Sequence, residues 1–146
     1  MFRLYSKGCE YAIRALVDLA ARGPGTNATV RSLCRRARLP EPSTRKMLQA
    51  LAKRGILRSI TGPRGGYQLA RRPAAINILE VIQAVDGPDT LAGCVLGLPA
   101  CYDHAPCALH GAWKKTRHVL VPALERLTLE DIRHAGNVGV TPGEAG

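Results

Sequence analysis

Acidic residues are scarce in the first half of this 146-residue chain. Between residues 1 and 72 only Glu10, Asp18 and Glu41 carry negative charge, against 16 Lys and Arg, a net charge of +13. The second half is the reverse, with five basic and eight acidic residues over 73–146. The front half is therefore the electrostatic footprint of a polyanion partner, and the back half is not. Aromatic residues make up only 4%, which argues against a stacking platform for single-stranded nucleic acid. No apolar run approaches the roughly 20 residues needed to cross a bilayer, so no membrane partner is expected. The N-terminal stretch has scattered charges and no small-residue cleavage site, so no signal peptide is read and the expected location is the cytoplasm. The cysteines number five. An odd count without an export signal argues against a disulfide framework.

The hydrophobic pattern is mainly helical. Ala12, Ala15, Leu16, Leu19 and Ala20 recur at helical spacing over residues 7–22, and Gly23-Pro24-Gly25 ends the run. Thr29 is a candidate N-cap for a second helix through Val30, Leu33, Cys34 and Ala37. Leu39-Pro40-Glu41-Pro42 forces a turn. Ser43 is the expected cap of a third helix, with Met47, Leu48, Leu51 and Ala52 on its buried side and Gly55 past its end. Two short β-type runs then flank Thr61-Gly62-Pro63-Arg64-Gly65-Gly66, the pattern of a hairpin. No Gly-Lys-Ser/Thr follows those glycines, so they do not form a nucleotide phosphate loop. Three helices followed by a hairpin make a winged helix–turn–helix. A further helix is expected over residues 76–85, a Gly/Pro/Cys-rich loop over 91–107, and a long amphipathic helix through Trp113, Leu120, Leu124 and Leu127. Pro122 is expected to kink or split that helix, and Thr128 to start a short last one. The expected organisation is a winged DNA-binding domain over 1–72, a connecting helix over 73–90, a cysteine-rich loop over 91–112, a long helix and a short one over 113–134, and a loose tail over 135–146.

In a helix–turn–helix the second helix lies in the major groove and reads base edges from its N-terminal residues. Those residues are Ser43, Thr44, Arg45 and Lys46. Arg45 can fork onto guanine O6 and N7, and Ser43 or Thr44 can meet phosphate or base. Arg31, Arg35, Arg36, Arg38, Lys53 and Arg54 are candidates for the phosphate backbone. Arg64, at the hairpin tip, is placed to enter a narrow A·T-rich minor groove. The expected partner is double-stranded DNA. An enzyme is not expected: a Cys–His nucleophile needs positioned partners and a pocket, and no small-molecule substrate is implied.

Cys94, Cys101 and Cys107 lie within fourteen residues, and His110 follows Cys107 by three. Thiolates with an imidazole select zinc or an iron–sulfur cluster. Structural zinc usually takes close Cys pairs two to four residues apart, and this spacing is wider.

SKGCEYAIRAL, GPRGGYQLA, NILEVIQAVDG, the C…C…CALHGAW loop and TLEDI together resemble the IscR/NsrR-type family of bacterial regulators, over residues 4–134 or so. The resemblance implies a homodimeric winged-helix transcription factor that binds a roughly palindromic operator and dimerises through the long helix. It implies an iron–sulfur cluster on Cys94, Cys101 and Cys107. For the fourth ligand it offers His110, as in IscR-like members with [2Fe–2S], and alternatively Glu10 on the first helix of the other subunit, as in NsrR-like members. His110 and [2Fe–2S] are favoured over Glu10 and [4Fe–4S]. In this reading cluster status, set by redox state, nitric oxide or iron–sulfur supply, controls operator binding. The rival is a cluster-free or zinc-binding winged-helix regulator controlled by a partner protein, as some family members are.

Overall fold

The computed structural model describes residues 4–97, 103–104 and 106–135. Cys101 and the expected tail beyond residue 135 lie outside the described residues. The elements run α1 (Lys7–Ala21), α2 (Val30–Ala37), α3 (Glu41–Lys53), β1 (Leu57–Ile60), β2 (Gly66–Leu69), α4 (Ile78–Asp86), α5 (His110–Arg126) and α6 (Leu129–Ala135), with one 3₁₀ turn at Pro73–Ala75. The fold is mainly helical with a small two-stranded wing, as the sequence pattern predicts.

Ser6 caps α1 by accepting the Cys9 N–H at 3.0 Å. The helix then buries Cys9, Ala12, Ile13, Ala15, Leu16, Leu19 and Ala20, and α2, α3, α4 and α6 all pack on it. Thr29 caps α2 as expected, its hydroxyl accepting from Ser32 N at 3.1 Å. Helix α2 ends on Arg38, which is left-handed at φ 54°, and Arg14 of α1 donates to the terminal Ala37 carbonyl at 2.6 Å.

Two expectations need correction. Ser43 does not cap α3. The helix starts at Glu41 with Pro40 in the N-cap position and no side-chain cap, because a proline in the first turn lacks only an N–H that has no helical partner there. The turn lies instead at Arg38–Pro40. Nor does Pro122 split α5, which runs unbroken from His110 to Arg126. Leu120, Val121 and Leu124 on either side of it pack against the core, and α4 lies along them.

The wing pairs Leu57 with Leu69 through Ile60 with Gly66, antiparallel. A third segment edges it. Ala28 N donates to Tyr67 O at 2.9 Å, and Tyr67 N to Ala28 O at 2.8 Å. This close approach explains Gly66, whose φ is +146° and where a Cβ would run into the Ala28 carbonyl. At the far end, Leu129 N donates to Ile76 O and Ile78 N to Leu127 O, both at 2.9 Å. These bonds bring α6 back onto α1. Thr128 and Asp131 cap α6 reciprocally: Asp131 N donates to the Thr128 hydroxyl at 3.1 Å, and Thr128 N to the Asp131 carboxylate at 2.9 Å. That pairing holds the Asp131 carboxyl below its ordinary range.

Gly66→Ala should destabilise the domain by about 2 kcal/mol or more, since it combines backbone strain with a steric clash. Urea unfolding followed by circular dichroism measures this. A change below about 0.5 kcal/mol, the scale of a neutral surface substitution, would contradict the account of the wing.

Candidate nucleic-acid interface and cysteine loop

Helix α3 presents Ser43, Arg45 and Lys46 to solvent from its first turns. Arg45 Nη2 is held at 2.7 Å by Glu41, one turn earlier. The pair is exposed, so it costs little to give up for a base edge. Thr44 is different and corrects the sequence reading. Its side chain is fully buried and its hydroxyl has no conventional hydrogen-bond partner, because position 44 falls on the same face of α3 as Leu48 and Leu51. The Cys34 thiol on α2 is its polar neighbour. Thr44 is therefore part of the α2–α3 packing and is not available to DNA.

Arg31, Arg35, Arg36 and Arg38 are exposed on α2 and its left-handed cap, and Lys53 and Arg54 at the end of α3. Arg64 is exposed at the wing tip. The structure gives one counted charge a role that the sequence reading did not assign. Asp18 is buried on α1 and takes two arginines, Arg22 Nε at 2.9 Å and Arg36 Nε at 2.9 Å. Arg22 goes on to donate to the Ser32 hydroxyl at 2.9 Å and its carbonyl at 3.3 Å. One buried carboxylate thus fixes α2 on α1 and holds Arg36 on the basic face. Its signal in the sequence was its position among the buried residues of an otherwise apolar stripe.

The cysteine loop starts where α4 ends. Cys94 and Cys107 are half-buried and their sulfurs lie 3.8 Å apart. His110 opens α5 with its side chain largely buried, and its Nε2 lies 2.9 Å from Asp103 Oδ1. Lys114 also reaches Asp103, at 2.9 Å. The hydrogen bond from Lys114, then that from His110, hold the Asp103 carboxyl below its usual range. Glu10, on α1, is ion-paired to Lys7 at 3.1 Å. Among the described residues no three His, Cys, Asp or Glu converge on a point that could hold a metal ion. The structure thus joins Cys94 to Cys107 and His110 to Asp103, while the third thiol, Cys101, lies outside the described residues. Cys9 and Cys34 are buried in the core. Burial first, and then Asp86, push the Cys9 thiol up to about 12, and burial also raises Cys34. Neither is poised as a thiolate.

The family model of Rrf2, described as an iron-dependent transcriptional regulator, matches residues 5–135. The chain belongs to the Rrf2 family. An rrf2-like HTH-type transcriptional regulator of Rhodobacter capsulatus is 31% identical over 136 residues, spanning 88% of this chain and 91% of the relative. An HTH-type regulator of Mycobacterium tuberculosis is 34% identical over 129 residues, 87% of this chain and 79% of its own length. Among solved structures, CymR of B. subtilis, described as the global cysteine regulator, matches with a TM-score of 0.76 at 23% identity, over 92% of this chain and 98% of that one. IscR of T. potens matches with a TM-score of 0.67 at 25% identity, over 94% and 92%. The first of these likenesses shows the fold alone. The family match and the two relatives make this Rrf2 protein a DNA-binding transcriptional regulator and not an enzyme. Among the described residues no helix is long and apolar enough to cross a membrane.

Arg45 and its neighbour Thr44 should part company in experiment. Arg45→Ala should weaken binding to a selected operator by about 1–3 kcal/mol and relax preference at one base pair per half-site. Thr44→Val should leave binding unchanged and change stability by less than about 1 kcal/mol, since it gives up only a weak contact of the buried hydroxyl with the Cys34 thiol. Electrophoretic mobility shifts and thermal unfolding measure the two effects, and a DNA-binding loss in Thr44→Val alone would reverse the assignment of that face.

Proposed function

We propose that this protein is a homodimeric regulator whose hold on a roughly palindromic operator depends on an iron–sulfur cluster bound by Cys94, Cys101 and Cys107. The observation that carries the reading is the 3.8 Å separation of the Cys94 and Cys107 sulfurs. Two thiolates bound at about 2.3 Å to one tetrahedral metal lie roughly 3.8 Å apart. The Cys94–Cys107 pair therefore fits two ligands on one metal. Four ligands on two irons put two on each metal, whereas four on four irons put one on each, so a close pair favours [2Fe–2S] over [4Fe–4S]. The same separation suits zinc, which keeps the zinc-binding, partner-controlled regulator as the second reading. When bound, the cluster brings sensitivity to oxidation, nitric oxide or iron–sulfur supply.

His110 is the favoured fourth donor. Ligating histidines characteristically give their other ring nitrogen to a carboxylate, and Asp103 stands at hydrogen-bond distance from His110. Glu10, the alternative, is in an exposed pair with Lys7 that costs little to give up, so the preference for His110 rests on Asp103 in support. Dimerisation is supported by α5, a 17-residue helix whose only buried residue is Leu124. Val119, on the same helix, is 71% exposed. Trp113, Leu120 and Val121 are partly buried against the core, while Val119 faces away from them, and a second copy is the natural cover for that exposed side of the helix.

The loop has a mechanical route to the reading helix. Asp86, the last residue of α4, accepts from Ser6 N at 2.8 Å and from the Ser6 hydroxyl. A carboxylate is unfavourable at the C-terminus of its own helix and favourable at the N-terminus of another, so Asp86 belongs electrostatically to α1. Two residues past Ser6, Gly8 allows Met47 of α3 to come so close that a Cβ there would lie 2.9 Å from its sulfur. Rearrangement of the loop after Gly87 is thereby felt at α1 and α3.

Protein isolated without oxygen should be coloured and contain iron and acid-labile sulfide, and Cys94→Ala or Cys107→Ala should abolish both. His110→Ala should shift the visible spectrum and Glu10→Ala should not. The reverse result would assign the fourth ligand to Glu10. A colourless wild-type protein with stoichiometric zinc would reject the cluster.

A further inference from the structure

The wing tip is a poor platform for an arginine on its own account. Gly62, Gly65 and Gly66 surround Arg64, and Gly62 has φ +99°. Within the tip one turn bond, Gly65 N to Gly62 O at 2.9 Å, restrains the backbone. An arginine that enters a minor groove from so loose a loop would lose much of its advantage to ordering entropy.

The chain supplies the missing restraint from elsewhere. The segment between α1 and α2 runs along the outer edge of β2 and is joined to it at three levels. Gln68 Nε2 donates to Gly25 O at 2.6 Å. Ala28 and Tyr67 exchange both backbone bonds. At the tip, Asn27 Nδ2 donates to the carbonyl of Arg64 itself at 3.2 Å. Asn27 stands two residues before Thr29, the cap that starts α2. The tip is therefore referenced to the origin of the helix–turn–helix and not merely to its own strands.

We infer that Asn27 is a positioning residue for DNA recognition: by holding the Arg64 carbonyl it fixes the wing-tip arginine relative to the helix–turn–helix, so that both meet the duplex at a set spacing. The inference rests on the reading of Arg64 as a minor-groove contact. The bond needs a donor of Asn length. Ala has none, and the side chain is exposed, so removal leaves the core intact.

The test is a double-mutant cycle on the full-length protein, with all four proteins in the same cofactor state. The probe is a duplex selected by the wild type from random sequence, with A·T-rich flanks under the wing and a matched duplex with G·C flanks. Asn27→Ala should weaken binding to the A·T-flanked duplex by about fivefold, the scale of one exposed hydrogen bond to a fixed group. It should have little effect with G·C flanks and none in the Arg64→Ala background, while thermal unfolding stays unchanged. An equal loss in both backgrounds would make Asn27 a contact in its own right and overturn the inference. So would wild-type affinity in Asn27→Ala when Arg64→Ala is weakened. If Arg64→Ala itself binds as the wild type does, the minor-groove reading of Arg64 fails first, and the positioning role with it.

Discussion

Helix α1 is the surface on which α2, α3, α4 and α6 are mounted. A 15-residue helix that touches four others must be buried around most of its circumference, and α1 manages this with small residues. Ala12, Ala15 and Ala20 admit neighbouring helices closely, while Ile13, Leu16 and Leu19 fill the space between. Gly8 carries the same logic to its limit against Met47. The one charge in this stripe, Asp18, would be costly if unpaired. Its two arginines offset that cost and turn a buried carboxylate into a joint between α1 and α2. Breaking one partner of such a group leaves an uncompensated charge, so the triad specifies the angle of the helix–turn–helix more than it adds stability.

In the proposed reading, a single central helix is what would let a small regulator couple two chemistries with opposite electrostatic needs. DNA binding asks for a dense positive face, which α2, α3 and the wing provide. The cysteine loop lies in the half of the chain with net negative charge, and the helix before it is tied to the start of α1 by one carboxylate, Asp86. Both halves therefore address the same helix from opposite ends of the sequence, and α6 closes the arrangement by packing on α1 as well.

Much of this was legible in the residues. Helical spacing located five of the six helices among the described residues and Thr128 the start of the sixth, the Gly-rich tip located the wing, and Thr29 announced its cap. What failed to read out depends on three-dimensional placement. Ser43 looked like a cap because serine favours that role, yet two prolines had already started the helix two residues earlier. Thr44 looked like a DNA contact because it is polar and near the start of α3, yet the shifted start turns it into the core beside Cys34. The pairing of Ala28 with Tyr67 rests on a single bridge, too short to leave an alternating pattern. The Cys94–Cys107 approach was expected only as part of a ligand set, and spacing along a loop does not fix which two thiols meet.

That last distance bears on how sensing would be built. Two sulfurs already at metal-sharing separation lower the ordering cost of ligation, because the loop need not be gathered from an open ensemble. Preorganisation strengthens binding but weakens a switch if the loaded and unloaded loops are alike, since a ligand shifts an equilibrium only by its differential affinity for the two states. The difference must then arise elsewhere in the ligand set. His110 stands at the start of α5, the helix that leaves Val119 71% exposed. With His110 as the proposed donor, ligation would pull on the helix end rather than on the Cys94–Cys107 pair. Loop status would thereby be converted into the angle at which two copies meet, and so into the spacing of their reading helices.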